Sequence, residues 1–433
     1  MSFFNRHLRS PTGLHHPSWT LPQILTATTG ERKPILSRLP GKLQKFRIEF
    51  QRRVCPFVPA ESAVGPSRVR AGFMLGLTMK KRMGELALIE HIRSSAAGMA
   101  GRGVALAIGD DCAILRPPRG HEILVTTDFS LEGRHFRRDW HPPESAGHRA
   151  LARGLSDLAA MGARPLAAFL SLAVPREMLA TRAGRGWVER FFAGLLGVAG
   201  RHRVPLAGGD TSESPNGLVL ADIVLVGSAP AGRALRRSGG QAGDSLYVTG
   251  ELGGAAAELA ALKRRGSRKS TLSGKAGKDG PPGSSAHPQD GPPGSSAHPQ
   301  LFPQPRIAAG LALLRRRLAT AAIDLSDGLS TDLAHLCRES GLGAEISAAA
   351  LPIHPLARKA GADRALELAL NGGEDYELLF AVPPGARVPR SVSGVRVTRI
   401  GSLAPGSAIS IADPSGRRRT LQAAGWEHFA ARH

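Results

Sequence analysis

An apolar, strand-like run reaching an aspartate recurs four times in this chain: "AIGDD" at Asp110 and Asp111, "VTTD" at Asp128, "LAGGDT" at Asp210 and "AIDLSD" at Asp324 and Asp327. Asp157 is a further acid in apolar company, inside the helix-like "GLSDLAAMG". One such acid serves as a turn residue or helix cap, accepting from backbone N–H groups. Several brought together at half-buried junctions would repel one another and lose solvation unless cations neutralised them. The chain holds 35 Asp and Glu against 57 Lys and Arg, so abundance does not explain acids in these places. Oxygen donors without a His or Cys cluster favour Mg2+ over Zn2+, and Thr126 and Thr127 add hydroxyls beside Asp128. A site with several Mg2+ ions most often serves phosphate chemistry. Taken singly, each acid also fits the local reading of cap or turn.

The segments between these acids alternate strand and helix. "VALAI", "HEILVTTD", "PLAAFLSLAVP", "GLVLADIVLVGSA", "SLYVT" and "TAAID" read as strands. "MGELALIEHIRSSA", with Leu86, Ile89 and Ile92 along one face, "SAGHRALARGLSDLAAMG", "GWVERFFAGLLGVAG", "GGAAAELAALKRR", "RIAAGLALLRRRL" and "LSTDLAHLCRES" read as helices. The order predicts an α/β pair of domains with α+β character, not a helical bundle. The expected boundaries are an N-terminal domain over 83–235 and a C-terminal domain over 236–433.

Two segments fall outside this pattern. Residues 1–82 are proline-studded and irregular and carry a net charge of +12, so they read as a basic, poorly ordered extension. "DGPPGSSAHPQ" occurs at 279–289 and again at 290–300. Such a Gly/Pro/Ser unit buries little, which marks 266–300 as a flexible insertion. Both segments are expected to be dispensable for activity. They also hold most of the chain's net charge of +22, which weakens a nucleic-acid reading of that charge. Cys55, Cys112 and Cys337 form neither a metal pattern nor a disulfide framework, which suits a cytoplasmic location. No apolar run is long enough to predict a membrane span.

A G-x-x-x-x-G-K-[ST] loop and an H-R-D/D-F-G set are both missing, so the familiar kinase frames do not apply. "GELGGAAAEL" misses the dinucleotide-loop spacing, and Gly250, Gly253 and Gly254 read better as a turn and close packing at a helix start. Other stretches carry a more specific likeness: "IGDDCAIL", "TTDFSLEGRHF", "LSDLAAMGARP", "GGDT", "GRALRRSGGQAGDSLYVTG", "PRIAAG", "AIDLSDGLSTDL", "NGGEDYELLF" and "GWEHF". Together they resemble the thiamine-monophosphate kinase family, of the aminoimidazole ribonucleotide synthetase-like superfamily, over roughly residues 84–430.

The resemblance implies a two-domain fold whose N-terminal sheet pairs across a homodimer. It implies ATP-dependent phosphorylation of thiamine monophosphate to thiamine diphosphate, by direct transfer to the substrate phosphate with no dedicated general base. Carried over residue by residue, it makes Asp110, Thr126, Thr127, Asp128, Asp157, Asp210, Asp324 and Asp327 the metal-side residues for several Mg2+ ions. Gly209, Asp210, Arg237 and Ser326 become nucleotide contacts, and His135, Glu374 and Trp426 substrate contacts. On their own chemistry, Arg237 meets phosphate or lies on a solvated surface, His135 bonds substrate or simply packs, and Trp426 stacks on a ring or closes a core. Gly154 stands where the family often has asparagine. Two other readings stay open: another ATP-using synthetase of the superfamily, and a non-catalytic basic RNA-binding protein. The missing aromatic-basic module weighs against the last.

Overall fold

The computed structural model describes residues 84–97, 103–273 and 297–426. The extension over 1–82, the first repeat copy and residues 290–296 of the second lie outside the described residues. Helix α1 (Glu85–Ala96) buries Leu88 and Ile92, while Leu86 is 83% exposed. The expected Leu86–Ile89–Ile92 face is therefore corrected: the i, i+4 pair Leu88/Ile92 turns to the core.

A short ribbon of β1 (Val104–Leu106) and β2 (Ile114–Leu115) brackets the loop carrying Asp110. Strand β3 (His121–Leu131) then shows period-two alternation: Leu124 and Ser130 are buried, whereas Ile123, Val125 and Phe129 are exposed. After it come α2 (Pro143–Ala160), β4 (Arg164–Val174), α3 (Arg176–Ala180), α4 (Arg182–His202), β5 (Leu206–Glu213) and β6 (Leu220–Pro230). The four strands form one sheet in the order β3-β6-β4-β5, antiparallel except for the β4–β5 pair. The parallel pair is joined through α3 and α4, the crossover such a pair requires.

Helix α2 is enclosed almost all round. Its apolar side, Leu151, Leu155 and Leu158, is buried to within 2% of full coverage. Gly147 lets α4 approach so closely that a Cβ there would lie 1.8 Å from the Phe191 carbonyl oxygen. Each such leucine contributes about 1.5–3 kcal/mol on burial, which fixes the axis of α2 and hence the place of Asp157.

The second half runs β7 (Ser245–Thr249), α5 (Gly254–Ser273), α6 (Ile307–Arg315), β8 (Ala321–Asp324), α7 (Leu329–Ser340), β9 (Gly343–Ser347), α8 (Pro355–Arg358), α9 (Ala362–Asn371), β10 (Leu378–Val382), β11 (Ser391–Val392), β12 (Val395–Ala404), β13 (Ile409–Ala412) and β14 (Arg418–Thr420). Seven of its strands follow the order β14-β13-β9-β12-β7-β10-β8, with β11 on β12. One face of this sheet, through Ala322 and Phe380, joins the core built on α2 and α6. The other, through Ile323 and Leu379, packs with Leu329, Leu333 and Leu336 of α7. Strand β8 is thus buried on both faces, and Asp324 at its end starts from the interior.

Helix α5 continues to Ser273, and the described chain resumes at Ala297. Glu258 holds the return: Oε1 lies 2.7 Å from His298 Nδ1, and Oε2 accepts the Gln300 N–H at 2.8 Å. Gln300 is 1% exposed, so the end of the second repeat copy belongs to the folded body.

Candidate active site

The α2–β8 junction draws acids together. Asp157, on α2, accepts a short hydrogen bond from the Thr126 hydroxyl on β3. Asp324 is buried at the end of β8. Burial, and then the charge of Asp157, pushes the Asp324 carboxyl well above the usual carboxylate range; Arg237 works in the opposite sense. Asp157 is also pushed up by burial, against Thr126 and Arg237. Sequence reading missed a third member. Asp332, in the first turn of α7, turns back to accept the N–H groups of Asp327 and Gly328 at 3.1 Å each. Burial, Asp324 and Asp327 push it up to about 8. It looked like an ordinary polar helix residue; its place one turn after "SDG" was the available signal.

The Ser326–Asp327 loop is clasped from two sides. The Glu374 N–H donates to the Ser326 carbonyl at 2.8 Å, and the Trp426 N–H to the Asp327 carbonyl at 3.0 Å. The Trp426 residue stays 53% exposed beside that loop. Glu374 bonds Arg149 Nη2 at 2.6 Å and Gln300 Nε2 at 2.8 Å. Burial alone would raise Glu374, but Arg149 and Arg153 hold it below its ordinary value. Arg149 also donates to the His135 carbonyl at 3.0 Å, so one buried guanidinium joins two expected substrate residues. The His135 ring accepts the Leu131 N–H at 3.0 Å. Asp128 lies alongside, gripped by Arg153 at 2.7 and 3.1 Å. Burial outweighs that cation and pushes Asp128 up to about 6.

Two expected acids, Asp110 and Asp210, lie elsewhere. Asp128 and Asp210 sit within their strands, not at the ends as the sequence pattern suggested. Their faces differ. The register aligns Asp128 with Ile223, Leu170 and Gly209, and the next row aligns Phe129, Asp222, Ser171 and Asp210. Adjacent rows point to opposite sides of a sheet. Thr127 belongs to the second side and donates to Asp222 at 2.8 Å. Asp210 instead shares with Asp110 a cavity of about 960 Å3, also lined by Arg93, Gly209 and Ser171. The backbone of Gly209 has φ +149°, and a Cβ there would lie 1.9 Å from the Leu170 carbonyl oxygen, so the β4–β5 approach requires glycine. Gly154 is similarly confined, its would-be Cβ 2.8 Å from Leu225.

The donors suit a hard cation. Among the described residues, no group of three or more His, Cys, Asp or Glu is arranged to hold a metal by itself. Mg2+ commonly takes one or two carboxylates and completes its shell with water and substrate phosphates. The buried Asp324 and the half-buried Asp157, two neighbouring carboxyls that call for a counter-charge, fit that mode. The exposed Asp110 and Asp210 face one cavity and offer the same donor type.

Residues 109–229 match the model of the AIR synthase related protein N-terminal domain, and 241–413 that of the C-terminal domain. Thiamine-monophosphate kinase of Escherichia coli (strain K12) is 38% identical over 356 residues, covering 80% of this chain and 98% of that protein. The crystal structure of thiamine-monophosphate kinase from Stenotrophomonas maltophilia K279a superposes with a TM-score of 0.61 at 32% identity, over 76% of this chain and 96% of that one. A structure described as AaThiL complexed with AMPPCP and TMP gives a TM-score of 0.57 at 28% identity, over 83% and 100% of the two chains.

Proposed function

We propose that this chain, which belongs to the thiamine-monophosphate kinase family, transfers the γ-phosphoryl group of ATP to the phosphate of thiamine monophosphate. A bond forms between an acceptor phosphate oxygen and the γ-phosphorus. The bond from that phosphorus to its bridging oxygen breaks, and ADP and thiamine diphosphate leave. The observation that carries this reading is the meeting of Asp157, Asp324, Asp327 and Asp332 at one junction, with Glu374 and Trp426 attached to the same loop.

The acceptor is already an anionic oxygen, so the task is alignment and charge control more than proton removal. Bound Mg2+ would supply the neutralising charge and orient phosphate oxygens. Asp157 and Asp324, with Thr126 behind Asp157 and Asp327 on the adjoining loop, would hold it at the junction together with water and substrate phosphates; Asp110 and Asp210 would do so at the cavity. Arg237, whose charge already acts on Asp157 and Asp324, would meet the ATP phosphates, with Ser326 beside them. Glu374, His135 and Trp426 would hold the thiamine side, Trp426 by stacking its exposed ring.

The exposed Ile123, Val125 and Phe129 of β3 suit a second copy of the chain as partner. No described helix is long and apolar enough to cross a membrane. Free Cys112 and Cys337 suit a reducing cytoplasm. Purified protein with ATP, Mg2+ and thiamine monophosphate should yield thiamine diphosphate and ADP in equal amounts. ATP consumption only with an aminoimidazole precursor, or none with either substrate, would overturn the reading.

A further inference from the structure

We infer that Gln300, the last residue of the second repeat copy, is a positioning residue for Glu374, and that the duplication leaves a spare of the same anchor upstream. This rests on the reading of Glu374 as a substrate-side acid. Glu374 has φ 70°, a conformation that residues other than glycine seldom adopt and that persists when the surroundings over-determine it. Three groups do so here: the Ser326 carbonyl takes its N–H, Arg149 Nη2 binds Oε1, and Gln300 Nε2 binds Oε2 at 2.8 Å.

Gln300 is itself tied at several atoms. Its N–H donates to Glu258, its carbonyl accepts from Arg149, and its side-chain amide reaches Glu374. The Gln300 Oε1 is left buried without a partner among the described residues. The opposite amide orientation would set that oxygen against a carboxylate oxygen of Glu374. The contact with Glu374 therefore dictates the orientation, at the expense of an unpaired acceptor.

The sequence carries the second half of the inference. Both copies end in His-Pro-Gln, at 287–289 and 298–300. In the second copy the anchoring contacts fall on His298 and Gln300, the ends of that triplet. Deleting either eleven-residue copy gives the same chain, with His-Pro-Gln still directly before Leu301. The linker can thus lose a full repeat without losing the anchor.

The test uses the full-length chain and three variants: Gln300→Glu, Gln300→Ala and deletion of one copy. Wild type is first shown to bind and phosphorylate thiamine monophosphate; failure there refutes the functional reading, not the anchor. Gln300→Glu should raise KM and Kd for thiamine monophosphate about tenfold, with KM for ATP unchanged. Gln300→Ala should shift the same constants less. Loss of one copy should leave both KM values at wild type. Unchanged thiamine monophosphate constants in folded Gln300→Glu, or in Gln300→Ala if the first does not fold, would overturn the positioning role. An equal change in both KM values would also overturn it, because general loosening does that. A raised thiamine monophosphate KM in the single-copy chain would overturn the spare anchor.

Discussion

Asp324 is placed where the protein by itself disfavours a charge. It is 4% exposed, and both burial and Asp157 push its carboxyl upward. Asp324→Asn keeps the shape and removes the buried charge. Measured without nucleotide or metal, its melting temperature should equal or exceed that of wild type. Under the proposed kinase reading, its kcat/KM should fall at least ~100-fold. A mere helix cap or turn would show the reverse, with stability lowered and turnover in the folded fraction near normal. Thermal melts and steady-state rates on one preparation decide between them. At this scale the acids after apolar runs were legible, because charge in apolar company is conspicuous. Arg149, Arg153 and Asp332 were not: on a helix they look like a solvated face until the packing of α2 and α7 encloses them. Gln300 was hidden differently, since a low-complexity repeat gives no hint that the last residues of one of two identical copies are docked.

Helix α2 links the site to global stability. From one turn it supplies Arg149 and Arg153 to the site, and on the far side His148 seals it against the returning chain. His148 Nε2 donates to the Pro303 carbonyl at 2.6 Å, while Nδ1 accepts from Arg201 at 3.3 Å. With both nitrogens so used the ring is neutral, and burial, along with Arg201 and Arg149, pushes it down to about 3. The unfolded ring takes up its proton near pH 6.5. The folded pKa is thus depressed, so the His148 contribution is full above about pH 6.5 and is lost as pH falls toward 3. Between pH 7.5 and 5 this amounts to at most about 2 kcal/mol. Denaturant unfolding of His148→Gln should show a pH slope in that window smaller by up to one proton than that of wild type; an unchanged slope refutes the assignment. The strands and helices themselves were largely legible from period and length. Strand register was not, and register is what separates Thr126 and Asp128 from Thr127 and Asp210 across the sheet.

At the scale of the described fold, burial at the centre leaves an apolar surface on β3. The shared core on α2 and α6 ties the two halves together, yet β3 at the edge of its sheet exposes Val125 by 64%, Phe129 by 59% and Ile123 by 44%. An edge strand with apolar side chains on its open face invites association unless it is blunted by charge, proline or a covering segment. On the same side, between Val125 and Phe129, Thr127 aligns with the half-buried Val224 and Phe169, so the surface is a sheet face as well as an edge. A second copy laid on this surface through its own β3 would cover both at once. The proposed homodimer therefore predicts a specific disruption. Val125→Glu with Phe129→Glu places two charges on the outer side, where neither reaches the core, so the circular dichroism spectrum should match wild type. In sedimentation velocity across a concentration series, wild type should run as a dimer and the double variant as a monomer. A wild-type chain that stays monomeric throughout, or a double variant that still dimerises, assigns the exposed face of β3 to something other than a second copy.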